Sequence, residues 1–183
     1  MKKMMMAAVA LICMTMMSVS LTSCGSDDDK SDPVVDNKPV AGVMNCSLTV
    51  GDDMFDKFNL SIKYYDENGK VQTEALTKTT WEKRVMNKSL PATLGFRLLV
   101  EAKEGIDYST LVKVTESYNY AYKVFSVNAK GEEMAGGKSG VSGVSLDIPG
   151  SKVSEWLEDH VDGIFEAVYV VNESGKAEST SWQ

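Results

Sequence analysis

The stretch LVKVTESYNYAYKVFSV, residues 111–127, decides the fold. Large side chains recur in it at every second position, at Tyr118, Tyr120, Tyr122 and Val124. Because successive side chains of a β-strand point to opposite faces, this period predicts one long strand with an aromatic face. A strand of this length needs neighbours to satisfy its backbone hydrogen bonds, and the flanking sequence supplies them.

The same alternation predicts strands on both sides of this stretch. Their apolar faces are at Met44–Val50, Leu60–Tyr64, Val71–Ala75, Trp81–Val85, Phe96–Ala102, Val144–Ile148 and Ile164–Val171. Turn signals separate them, such as Asp-Glu-Asn-Gly at residues 66–69, where Asn and Gly tolerate a positive φ. Residues 134–143 carry four of the fourteen glycines and predict a loop. Residues 176–182 complete a C-terminal hairpin.

One segment departs from the alternation and has helical spacing instead. The side chains concerned are Val153, Trp156, Leu157, His160 and Val161. This spacing predicts a short amphipathic helix over residues 152–161, with Ser151 as its N-cap and Gly163 closing it. About eight strands and one helix predict a mainly β protein, an antiparallel β-sandwich, and we expect an immunoglobulin-like topology.

The net charge of the chain limits the kind of partner that it can bind. The 183 residues carry 19 Lys+Arg against 26 Asp+Glu, a net charge of −7. Nucleic-acid binding depends on a basic surface that neutralises phosphates. We therefore expect no nucleic-acid partner.

The N-terminus has the pattern of an export signal. Lys2 and Lys3 precede an apolar run from Met4 to Leu21. The run ends in Leu21-Thr22-Ser23-Cys24, which resembles the lipobox of bacterial lipoproteins. That resemblance implies that residues 1–23 are a signal peptide and that Cys24 becomes the lipidated first residue. It implies an outer-membrane protein held by acyl groups on Cys24.

The residues after Cys24 resemble a second sorting signal. Gly25-Ser26-Asp27-Asp28-Asp29 is similar to the acidic export signal of Bacteroidetes-type surface lipoproteins. This implies that the protein faces the cell exterior. Residues 24–40 hold few large apolar side chains and predict a flexible acidic tether. Residues 41–183 form the predicted domain, broadly similar to the β-sandwich domains of unknown function on such lipoproteins.

Candidate site residues are few. Tyr118, Tyr120 and Tyr122 are candidates for a flat aromatic platform that binds a sugar ring. Cys46 is the one cysteine of the predicted domain and is expected to be a buried apolar side chain. His160 is the only histidine, so a zinc site lacks ligands. The sequence gives no catalytic constellation, and we expect no metal, no cofactor and no enzymatic activity.

These observations favour a lipid-anchored binding or adhesion module at the cell surface, with a glycan or a surface protein as partner. An extracellular hydrolase is one alternative, although no nucleophile motif marks it. A structural subunit of an outer-membrane or pilus-like assembly is another. For that alternative, residues 176–183 are the candidate strand for pairing with a second chain.

Overall fold

The computed structural model describes residues 37–182. The predicted signal peptide and Cys24 lie outside these residues. The described chain forms nine strands: β1 (Ala41–Val50), β2 (Phe58–Tyr65), β3 (Val71–Ala75), β4 (Thr80–Asn87), β5 (Ala92–Ala102), β6 (Lys113–Val127), β7 (Lys138–Pro149), β8 (Phe165–Val171) and β9 (Ala177–Ser179). Two short helices join them, α1 (Asp52–Lys57) and α2 (Val153–Asp159). The prediction of a mainly β protein is confirmed.

The strands form two antiparallel sheets. One has the order β4-β1-β6-β7 and the other the order β3-β2-β5-β8-β9. The long strand β6 lies between β1 and β7, so that Tyr118 is opposite both Val50 and Val144. The inner faces of the two sheets pack on each other, as in a β-sandwich. The immunoglobulin-like connection of the strands stays a prediction.

The core lies between the sheets because most of the alternating apolar side chains face inward, with Val71 and Leu146 as exposed exceptions. Met44, Leu48, Phe96 and Leu98 are among the side chains that are fully buried. Burying one such side chain stabilises the fold by roughly 1.5–3 kcal/mol. The alternation of apolar residues in the sequence therefore determines which faces of the two sheets pack against each other.

The predicted helix is present but shorter than the range 152–161. Helix α2 covers Val153–Asp159, and Val153 and Trp156 are its buried residues. The prediction that Ser151 caps the helix is wrong, because a 3-10 turn (Gly150–Lys152) precedes α2 and no side chain caps it. Gly163 does close the segment: its φ is +116° and its amide donates to the carbonyl of His160. Helix α1 was not predicted, because one helical turn is too short to show a period.

The prediction of a loop at residues 134–143 is wrong in its second half, where β7 begins at Lys138. The glycines there make room for side chains of β6. A Cβ at Gly140 would lie 2.7 Å from the hydroxyl oxygen of Tyr122, and one at Gly143 would lie 2.0 Å from Oδ1 of Asn119. Glycine in a strand often marks such a close approach.

The sandwich has two distinguishable ends. The chain enters through residues 37–40 beside the end of β6, where the amide of Val40 donates to the carbonyl of Val127. We call this the entry end. At the far end, α1 follows β1, and the amide of Val50 donates to the carbonyl of Thr79. The loop 76–79 and helix α1 therefore lie at the end opposite to the point of entry.

Candidate functional site

The three candidate tyrosines share one face of β6, as the period predicts. The ring centroids of Tyr118 and Tyr120 are 6.4 Å apart, and those of Tyr120 and Tyr122 are 6.5 Å apart. This face is turned towards the other sheet. The ring of Tyr120 stacks on Phe165 of β8, with 4.0 Å between centroids, and the hydroxyl of Tyr122 hydrogen-bonds to that of Tyr169.

The interpretation of these rings as a flat, solvent-facing platform needs correction. Tyr118 is buried, and Tyr120 and Tyr122 are half-buried and packed against the core. Burial, with the nearby Glu116 and Tyr120, raises the pKa of Tyr118 to about 12. The physical reason is that the second sheet covers this face of β6. Ligand binding by the three tyrosines stays a prediction, and their visible role is packing between the sheets.

The surroundings of Cys46 and of His160 indicate that each side chain has a structural role. Cys46 is buried, and burial raises the pKa of its thiol to about 12, although Lys83 acts in the opposite direction. A thiol that stays protonated is a poor nucleophile. His160 ends α2, where its Nδ1 lies 2.7 Å from the carbonyl oxygen of Trp156. Among residues 37–182, no group of three or more His, Cys, Asp or Glu side chains is arranged to hold a metal ion.

A cleft that sequence reasoning missed lies where β3 and β4 meet at the side of the sandwich. Its volume is about 440 Å³, within the range of small-ligand sites. The lining residues are Glu74, Ala75, Leu76, Thr77, Lys78, Thr80, Trp81 and Glu82. We call it the Glu74 cleft. Because the loop 76–79 forms part of its wall, the cleft lies towards the far end of the molecule.

Two donors hold the carboxylate of Glu74 in a fixed position. The indole nitrogen of Trp81 donates to Oε1, and the ammonium of Lys83 donates to Oε2 across 2.9 Å. Partial burial of Glu74 opposes ionisation, but these hydrogen bonds outweigh it, and the pKa of Glu74 is lowered. The carboxylate is therefore charged at neutral pH, with acceptor capacity left for a ligand.

The two donors are themselves fixed by neighbouring rings. The ammonium of Lys83 donates to the hydroxyl of Tyr64 across 2.9 Å and lies 4.3 Å from the centre of its ring. The hydrogen bonds to Tyr64 and Glu74 raise the pKa of Lys83. The ring of Trp81 is buried and stacks on Phe96, with 5.8 Å between centroids. A site held in this way needs little rearrangement when a ligand binds.

The lining suits a ligand with many hydroxyl groups. Glu74 and Glu82 are acceptors, Lys78 is a donor, and the exposed hydroxyls of Thr77 and Thr80 do both. Together with Lys83, which pairs with Glu74, the side chains at the cleft carry two negative and two positive charges, which favours a neutral ligand over a strongly charged one. No sequence signal marked this site, since its residues belong to two strands in different sheets and to the loop between them.

The C-terminal segment that was a candidate for pairing in trans is held within its own molecule. Strand β9 pairs with β8, with Ala177 opposite Val171. Beyond it, the ring of Trp182 stacks on Tyr65, and the guanidinium of Arg97 lies 4.6 Å from its centre. Residues 177–182 thus complete the five-stranded sheet and cover part of its outer face.

Two further findings concern membrane-spanning helices in residues 37–182 and comparisons with known proteins. Neither α1, α2 nor any other helix within residues 37–182 is long and apolar enough to cross a bilayer. No protein-family model, no curated protein and no solved structure matches this chain.

Proposed function

We propose that the chain is a lipid-anchored binding module on the outside of the outer membrane, and that the Glu74 cleft binds a glycan. The observation that carries the proposal is the carboxylate of Glu74, which two donors hold in place beside exposed hydroxyls. Small-ligand sites combine such a cavity with a few fixed polar groups that orient the ligand.

The anchor in this proposal is the predicted lipidation of Cys24. A single acyl chain gives only marginal membrane binding, at about 0.8 kcal/mol per buried CH₂, whereas two or more chains hold a protein durably. The sequence motif Leu21-Thr22-Ser23-Cys24 supports this step, and the acidic residues 27–29 support export to the outer surface.

The position of the cleft agrees with this arrangement. An anchored chain enters the domain at residues 37–40, on the entry end. The loop 76–79 lies at the opposite end, so the Glu74 cleft would open away from the membrane. A ligand in the extracellular medium would then reach it without passing the bilayer.

The test is a glycan array probed with the full chain in detergent, next to two variants of equal size. Thr77→Trp places an indole at the wall of the cleft, because Thr77 lines the cleft from the loop 76–79 and its side chain is exposed. Ala129→Trp places the same ring on an exposed turn at the entry end and is the matched control.

The proposal predicts that the parent chain and Ala129→Trp bind the same glycans, and that Thr77→Trp loses at least about tenfold in affinity, or about 1.4 kcal/mol. Equal binding by Thr77→Trp and the parent chain would place the site elsewhere. A parent chain that binds no glycan on the array would reject the glycan ligand.

A further inference from the structure

Strand β7 forms an unprotected edge of the four-stranded sheet. It pairs with β6 on one side, and within residues 37–182 no strand pairs with its other side. β7 has 12 residues, whereas the other edge strands β4, β3 and β9 have 8, 5 and 3. A long edge presents a row of unpaired amides and carbonyls that can pair with another chain.

Proteins commonly protect such edges with charges, prolines or bulges. The charged residues of β7, Lys138 and Asp147, and its Pro149 lie near the ends of the strand. Between Ser139 and Leu146 there is neither a charge nor a proline. In this part Val141 is 82% exposed, although it is a large apolar side chain.

The sequence of this part is complementary to itself. Residues 139–145 are Ser-Gly-Val-Ser-Gly-Val-Ser, with a serine at every third position. Consider two copies of β7 paired antiparallel around a two-fold axis at Ser142. Val141 then lies opposite Gly143 of the second copy, and Val144 lies opposite Gly140. Each valine then lies opposite a residue that has no side chain of its own, and the side chains beside it are Tyr122 and Asn119 of β6, which occupy the space above Gly140 and Gly143.

We propose that β7 pairs with β7 of a second copy of this chain, antiparallel and centred on Ser142. The pairing joins two four-stranded sheets into one that spans both molecules. A second copy is the occupant that the sequence favours, because in this register each valine of residues 139–145 lies opposite a glycine of the other copy. Two short strands bury less than the roughly 1,200 Å² of a standard stable interface, so the association is weak.

A weak contact is best detected by covalent capture. Directly opposed residues of antiparallel strands have Cα atoms about 4.5–5.5 Å apart, which a disulfide can bridge. Ser142→Cys places two thiols opposite each other at the axis. Ser145→Cys is the matched control, because its two copies would lie roughly 20 Å apart, at six steps of about 3.3 Å. In the double variant Ser139→Cys/Ser145→Cys, the thiol at position 139 of one copy lies opposite the thiol at position 145 of the other.

The experiment uses the full chain in isolated membranes, mild oxidation and non-reducing electrophoresis. All variants keep the native cysteines, so the parent chain measures their background. The proposal predicts a disulfide-linked dimer for Ser142→Cys and for the double variant, and background yield for Ser145→Cys. Background yield for Ser142→Cys, or equal yield for Ser145→Cys, would overturn it.

A charge variant tests the same contact independently. Val141→Lys, added to Ser142→Cys, places two ammonium groups diagonally across the axis, where like charges oppose pairing. Its cross-linking rate should fall by up to about fivefold. Val161→Lys is the control, since Val161 is 76% exposed and lies outside the strands. An unchanged rate with Val141→Lys would contradict the proposed register.

Discussion

The indole nitrogen of Trp156 donates a hydrogen bond to the carboxylate of Glu116 across 3.1 Å in the interior of the protein. Trp156 belongs to α2 and Glu116 to β6, so this bond fixes the helix to the four-stranded sheet. Both side chains are buried, with 9% and 5% of their surface exposed. Trp156 also packs on Phe58, with 5.3 Å between ring centroids.

Removing the acceptor should destabilise the protein. Glu116→Leu leaves the buried indole N–H without this acceptor, and we expect the free energy of unfolding to fall by about 1–3 kcal/mol. Glu116→Gln keeps an acceptor oxygen and should cost clearly less. Urea unfolding followed by tryptophan fluorescence measures both. Equal losses for the two variants would show that the hydrogen bond is not what matters at this position.

Replacing Tyr118 should show that the tyrosine face belongs to the core. Tyr118→Ala removes a buried ring that stacks on Phe165, and losses for large aromatic side chains are about 3–5 kcal/mol. Val141→Ala removes exposed apolar atoms and should change stability by less than about 0.5 kcal/mol. The check is chemical denaturation of both variants. A Tyr118→Ala protein as stable as the parent would support the interpretation of the tyrosines as an exposed platform.

Alkaline pH should weaken the fold through the same residue. The pKa of Tyr118 is about 12 in the folded protein, against about 10 in an unfolded chain. Between these values the unfolded chain loses a proton that the folded protein keeps. The free energy of unfolding therefore falls as pH rises from 10 to 12, at up to about 1.4 kcal/mol per pH unit for this group.

The measurement is the urea midpoint from pH 8 to pH 11.5. Tyr118→Phe removes the titrating hydroxyl and should lose less stability above pH 10 than the parent chain. Cys46, whose pKa is also raised to about 12 by burial, is unchanged in both proteins. Identical pH profiles would mean that Tyr118 does not titrate as its burial implies.

Trp182 should stabilise the domain from outside the core. Its ring covers Tyr65 and lies against the cations of Arg97 and Lys63. Aromatic stacking contributes about 0.5–1.5 kcal/mol, and an exposed cation–π contact contributes about 0.5–1 kcal/mol. Trp182→Ala should therefore cost about 1–2 kcal/mol, and Trp182→Phe less, in thermal or urea unfolding. An unchanged free energy of unfolding for Trp182→Ala would indicate that the C-terminal segment is not held by this ring and is free to pair in trans.

The architecture was predictable because burial repeats along most of the strands, such as β1, β2 and β5. Met44, Leu60 and Phe96 each belong to a run of alternating apolar residues, and the runs form the two inner faces of the sandwich. The same alternation placed Tyr118, Tyr120 and Tyr122 on one face. It could not show whether that face meets water or the other sheet, since tyrosine suits both.

The errors have a common physical origin in contacts between distant residues. Gly140 and Gly143 predict a loop by composition, but they belong to a strand because Tyr122 and Asn119 need the space above them. The Glu74 cleft depends on Trp81 and Lys83, which reach Glu74 from the opposite sheet. Neither contact leaves a local pattern in the sequence.

The most direct test of the proposed function is mass spectrometry of the intact protein isolated from its native membranes. The proposal predicts that the mature chain begins at Cys24, and that Cys24 carries a diacylglyceryl group on its sulfur and an acyl group on its amino nitrogen. A chain that still contains residues 1–23, or that carries an unmodified thiol at Cys24, would contradict the lipid anchor and the outward-facing role that depends on it.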